Sequence, residues 1–175
     1  SGWNEHMKHR QDPEPEISDS QMDRIGIQVR AREFIGTDLL GISCKLIHPD
    51  SIELVWDEVE PHIARCTPHS EGELETDDFF DYLVNAEMQL WVAVDKEIIA
   101  VMVTQIIPYP KKKVLRVIAI AGEDMDRWFH FLPAIEEWAM ELGCTSLEAW
   151  GRKGWLKVLK DWKCSYHILT KDLKN

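Results

Sequence analysis

Residues 89–121 constrain this chain more than any other stretch. Residues 89–94 and 98–107 are apolar runs joined by Asp95-Lys96-Glu97, and a third run, 114–121, follows Pro108-Tyr109-Pro110 and three lysines. Such runs, rich in Val and Ile and bounded by turn residues, predict three consecutive strands: a tight hairpin, then a nearly all-apolar strand central in the sheet. A sheet of this kind has to be covered, and the flanking sequence supplies the cover. His48-Pro49-Asp50-Ser51 reads as a helix start with Asp50 or Ser51 as cap, after a short strand at Leu46 and Ile47. Ile52, Val55, Trp56, Val59 and Ile63 then recur at helical spacing, with Pro61 expected to kink or split the helix. Thr76 opens a second helix, capped towards Asp77 and Asp78, with Phe79, Phe80, Leu83 and Val84 on its buried side.

After the third strand, residues 125–142 predict a long helix with Trp128, Leu132, Ile135 and Trp138 or Ala139 on one face, stopped by Gly143. Residues 146–150 predict a strand, 154–162 a short helix and 166–169 a last strand. The fold class expected is α+β: a meander followed by a parallel β-α-β step, in a central mixed sheet flanked by helices. The 175 residues suffice for one such domain and an appendage. Residues 44–175 are the domain and residues 1–43 an N-terminal arm. The arm opens on Ser1-Gly2, which resembles a cloning scar, and its Asp12-Pro13-Glu14-Pro15-Glu16 favours extended, solvated backbone. Its apolar content is Met22, Ile25, Ile27 and Val29, which suits packing on the core, on a protein partner or on a second copy.

The net charge of −11 opposes phosphate backbones and anionic lipid, so neither nucleic acid nor membrane is expected as a partner. The longest apolar run, 98–107, is too short to cross a bilayer. Cys44, Cys66, Cys144 and Cys164 form no CxxC pair, and without a visible export signal they read as reduced thiols in a cytoplasm.

The element order from about Lys45 to Leu173 resembles the GNAT (acetyltransferase-like) superfamily. More narrowly, it is similar to small GNAT-like proteins encoded by bacteriophages and prophages. The residues that carry this are Leu90-Trp91-Val92-Ala93-Val94-Asp95, Val103-Thr104, Leu115-Arg116-Val117 and the stretch from Gly122 to Trp128. Glu137-Trp138-Ala139, Gly143-Cys144 and Gly151-Arg152-Lys153-Gly154-Trp155 leading to Leu159-Lys160-Asp161 complete the set, the last block being the most specific.

The resemblance implies a cleft between two splayed parallel strands that admits acetyl-CoA, with its pyrophosphate on a turn at the start of the long helix. The matching turn, Ala121-Gly122-Glu123-Asp124-Met125-Asp126-Arg127, has one glycine and three carboxylates. Ala121, Gly122 and Arg127 are its candidate cofactor contacts, with Arg152 and Lys153 at the following helix. Leu159 stands where many of these enzymes carry a tyrosine that protonates the leaving thiolate, and leucine has no proton to give. Glu148 is the candidate base, since a partly buried carboxylate can take a proton from an amine; its structural alternative is a solvent-facing residue or a partner for Arg152.

Three further groups stand out. His62, Cys66 and His69 have a spacing that can gather a metal, but no fourth ligand is evident and none is expected. Lys111, Lys112 and Lys113 beside Tyr109 read as a solvated hairpin loop, or as a contact for CoA phosphate or an acidic partner. Trp155 reads as packed inwards. Two functions follow. One is a phage-type GNAT-fold protein with a degenerate cofactor site, acting through protein contacts in a virion or assembly complex in the host cytoplasm. The other is an acetyl-CoA-dependent N-acetyltransferase acting on an amine.

Overall fold

The meander forms as expected, and the rest of the molecule is arranged around it. The computed structural model describes residues 34–37, 41–66, 73–122, 128–150, 157, 159, 161–165 and 168–173. In chain order these hold strand β1 (Phe34–Thr37), β2 (Ser43–Ile47), helix α1 (Ile52–Ala64), α2 (Thr76–Val84), β3 (Gln89–Asp95), β4 (Glu97–Pro108), β5 (Lys113–Gly122), α3 (Trp128–Glu141) and β6 (Ser146–Ala149). The six strands lie side by side in sequence order; every neighbouring pair is antiparallel except β5 and β6, which are parallel. This is the α+β mixed sheet flanked by helices that the element order predicts.

Each face of the sheet has its own core. Ile47, Leu90, Val92, Val101 and Val103 meet Val55, Val59 and Ile63 of α1 and Phe79 and Leu83 of α2. On the opposite face Leu46, Trp91, Met102 and Leu115 meet Phe131, Ile135 and Trp138 of α3. Trp91 and Trp138 cross edge to face with centroids 5.0 Å apart. Phe131 takes the place expected for Leu132, which is only half-buried. The side chain of Trp128 lies outside the described residues.

One polar group sits inside the second core. The Trp91 indole Nε1 donates to Thr104 Oγ1 at 2.9 Å, and Thr104 Oγ1 donates to Gln89 Oε1 at 2.9 Å, all three side chains being buried. Gln89 and Thr104 are direct cross-strand partners.

Local chemistry explains the boundaries. Pro49–Ser51 forms a 3-10 turn ahead of α1, capped by His48, whose Nδ1 accepts from the Asp50 amide at 3.1 Å, and Ser51 is the N-cap residue of α1, without a side-chain cap bond. Asp78 Oδ2 accepts from the Glu75 amide at 2.8 Å at the start of α2. Lys96, at φ 65°, is the single residue between β3 and β4. Gly143, at φ 88°, ends α3 in a Schellman arrangement, the Cys144 amide reaching the Ala139 carbonyl at 3.0 Å. Lys113 Nζ donates to the Leu142 carbonyl at 3.0 Å and so joins that end to β5.

The course of α1 and the last strand differ from expectation, and the N-terminal segment and the 154–162 helix are described only in part. α1 runs through Pro61 unbroken to Ala64; the proline comes so late that only one more turn depends on the lost amide. Phe34–Thr37, within the segment read as an arm, pairs with β2 and extends the sheet by a strand. Ile42, also in that segment, is 1% exposed in the second core. Of the last strand expected over 166–169, Ile168 and Leu169 are described, exposed and in no strand, while 166 and 167 lie outside the described residues. The helix expected over 154–162 falls largely outside them too, and Leu159 and Trp162 belong to a turn, not to an α-helix. No helix among the described residues is long and apolar enough to cross a membrane.

Candidate functional site

The parallel pair β5–β6 builds the site. Val114, Leu115, Arg116 and Val117 pair with Ser146, Leu147, Glu148 and Ala149, after which β6 ends while β5 continues to Gly122. The two strands part just where β5 is bulged. Val103 faces Ala119 and Thr104 faces Val117, which leaves Ile118 as an extra residue. A one-residue bulge bends its strand and sharpens its twist. Beyond Ile118, β5 therefore holds to β4 and has no β6 partner. The end of the β5–β6 pairing falls where the sequence resemblance implies a cleft between splayed parallel strands.

Small residues line the parted length: Ala119, Ala121 and Gly122. Gly122 is required by packing as much as by any ligand. Its φ is 138°, and a Cβ there would lie 2.4 Å from Ala100 Cβ and 2.6 Å from the Ile99 carbonyl oxygen of β4. Of the candidate cofactor contacts, Ala121 and Gly122 thus sit together at the end of the parted strand. Arg127, Arg152 and Lys153 lie outside the described residues.

At the pair before the last, Arg116 Nε donates to Glu148 Oε1 at 2.7 Å across the two strands. Leu115 faces α3, so this pair stands on the α1/α2 side of the sheet. Trp150 Nε1 donates to the same Oε1 at 3.2 Å, and the Arg116 guanidinium lies 4.3 Å from the centre of the Trp150 ring. Arg116 Nη2 donates to the Tyr109 hydroxyl at 3.1 Å. Because Tyr109 belongs to the β4–β5 hairpin, the guanidinium and the indole over it point back along the paired strands, away from the gap. Trp150 is 57% exposed. Among the described residues Glu148 is thereby fixed by Arg116. Its Oε1 is saturated, and Oε2 has no hydrogen-bond partner among the described residues.

The end of α1 lies over the parted strand. Cys66 Sγ donates to the Ile120 carbonyl at 3.4 Å. Burial pushes this thiol up from its ordinary value, against smaller opposing effects of that hydrogen bond and of Arg65. His62 Nε2 approaches the Ile98 carbonyl at 3.2 Å, and its Nδ1 meets the Arg65 guanidinium, an arrangement that suits a neutral ring protonated on Nε2. Both ring nitrogens are thus engaged, and His69, the third residue of the metal spacing, lies outside the described residues. Leu159 is 9% exposed and brings no ionisable proton.

Sequence reasoning missed Arg116, Tyr109 and Trp150 as companions of Glu148. A signal existed: Arg116 is the one charged residue inside the apolar run 114–121, and such a charge needs a partner on a neighbouring strand.

No protein-family model matches this sequence, and no curated protein matches it. Solved structures do. A ribosomal-protein-alanine N-acetyltransferase from Brucella melitensis biovar Abortus 2308 superposes with a TM-score of 0.55 at 11% identity, over 77% of this chain and 100% of that one. An aminoglycoside acetyltransferase from an uncultured soil metagenomic sample, in complex with sisomicin, gives 0.57 at 8% identity, over 76% and 97%. A Trypanosoma brucei acetyltransferase gives 0.52 at 11% identity, over 75% and 99%. The chain therefore has the fold of the GNAT acetyltransferases.

Proposed function

We propose that this protein holds an acyl-CoA in the β5–β6 cleft and transfers its acetyl group to an amine. The observation that carries this reading is the bulge at Ile118, with the departure of β5 from β6 just beyond Val117 and Ala149. A strand edge without a neighbour offers backbone groups to an extended amide chain, and a pantetheine arm is such a chain. The small Ala119, Ala121 and Gly122 suit this use, since they leave backbone within reach. The cofactor would supply the thioester carbonyl. Oε2 of Glu148 would take a proton from the acceptor's ammonium to free the neutral amine, which attacks the thioester carbonyl. The C–N bond forms, the C–S bond breaks, and the leaving thiolate takes its proton from solvent, while Arg116 and Trp150 hold the carboxylate through Oε1.

A second reading has its own support. Glu148 is tied to Arg116, and Leu159 cannot protonate a leaving thiolate. Both features suit a phage-type protein whose site no longer turns over and which works through protein contacts in a virion or assembly complex.

One experiment separates them. Thermal unfolding is followed against acetyl-CoA, with dephospho-CoA as control, and then acetyl transfer is assayed over a panel of amines. Saturation at 100 times Kd stabilises the fold by about 2.7 kcal/mol, a rise of several degrees. Transfer that falls about 10²-fold or more in Glu148→Gln, with binding retained, is the expected result. Binding without transfer favours the second reading, and no shift at millimolar acetyl-CoA overturns the first.

A further inference from the structure

The hairpin end of the sheet carries a basic, aromatic surface of which the acyl-transfer reading uses only Arg116 and Trp150, as holders of Glu148, and leaves Tyr109, Lys111 and Lys112 without a role. Tyr109 and Trp150 are 37% and 57% exposed, on either side of the Arg116 guanidinium. Lys112 Nζ lies 5.6 Å from the centre of the Tyr109 ring, and Lys111 is exposed beside it. Glu148 offsets Arg116 and Lys113 is spent on the Leu142 carbonyl. Neither Lys111 nor Lys112 has an acidic partner among the described residues. In a chain of net charge −11, two such cations beside the exposed Tyr109 ring form a local positive patch.

We propose that this surface receives the chain's own residues 12–16, Asp12-Pro13-Glu14-Pro15-Glu16. Among the acidic runs of the sequence this one alternates carboxylates with prolines. In a polyproline II conformation, rising about 3.1 Å per residue, alternate carboxylates stand roughly 6 Å apart. Prolines pack on exposed aromatic rings, and the conformation costs little entropy to fix. The reach suffices. β1 and β5 are four strand spacings apart, about 19 Å, whereas the roughly eighteen residues from Glu16 to Phe34 span up to about 60 Å when extended. Two or three cations make too small a patch for a polyanion against the overall field, but they match three carboxylates.

The test is zero-length cross-linking of the full chain with a water-soluble carbodiimide, which joins a carboxylate to an amine already in contact, followed by mass spectrometry of the monomer fraction. Amide links from Asp12, Glu14 or Glu16 to Lys111 or Lys112 are expected. Their yield should drop several-fold in 0.5 M NaCl, where the Debye length is about 4 Å, and again in Trp150→Ala and Tyr109→Ala, which keep every reacting group. Links confined to the dimer fraction would assign the surface to a second copy and overturn the proposal, as would links to other acidic residues alone. Links indifferent to salt and to both substitutions would overturn it too. No acyl-CoA enters the measurement, so its failure leaves the transferase reading untouched.

Discussion

Gly122 ends β5 at φ 138°, and its Cα hydrogen points at Ala100 across the β4 ladder. An added methyl would meet Cβ at 2.4 Å and backbone at 2.5 Å, neither of which is the movable end of a side chain. Gly122→Ala therefore combines backbone strain with a backbone clash and is expected to cost about 3 kcal/mol or more in urea unfolding. Gly41→Ala is the internal control: φ there is 85°, but no atom lies within 4 Å of the new Cβ. That change should cost only about 1–2 kcal/mol. Equal losses at the two sites would show that the close approach of β5 to β4 is not what position 122 protects. Arg116 works at the same scale in another way. It ties the two strands together one residue before their pairing ends.

Among the elements, β5 has a divided character. Up to Val117 it has strands on both sides, and from Ile118 it has one on β4 alone. Hydrogen exchange should divide at the same place: amides of residues 114–117 should be well protected, with protection lower over 118–121. Acetyl-CoA should slow exchange in the second set selectively. Uniform protection along β5 would argue against an open edge. The strands themselves were legible because their apolar runs are long and bounded by turns, and α1 because Ile52, Val55, Val59 and Ile63 repeat at helical spacing. The bulge was not legible. Residues 117–121 are all apolar, and an extra Ile among Ile and Ala changes no pattern. β1 escaped because four residues are too few to show a period. Glu148 does lie on a strand, as its sequence context suggests, but its partner lies 32 residues away, beyond any local pattern.

For the molecule as a whole, two cores share one sheet, and the thiols report on its integrity. Burial pushes the Cys44 and Cys144 thiols up, with Lys113 a smaller, opposing influence on the second. The fold thus prefers them neutral. That contribution is intact below their ordinary value of 9.0; as pH rises past it, the unfolded chain releases protons that the folded chain keeps, and stability falls. Each thiol adds up to about 1.4 kcal/mol per pH unit to that slope. Urea midpoints from pH 8 to 10 should decline more steeply in the native chain than in Cys44→Val, and identical slopes would contradict this. The buried trio of Trp91, Thr104 and Gln89 has a wider consequence. β3 and β4 are apolar on both faces, so sliding one along the other would exchange oil for oil, and hydrophobicity alone cannot tell the right alignment from its neighbours. Any slip would strand an indole N–H, a hydroxyl and an amide in the dark without partners. Three polar atoms thus act as the key that sets the frame of the meander, and β5 takes its own frame from β4. Thr104 itself faces Val117, the last β5 residue to pair with β6, so the lock lies one strand from the place where that pairing ends.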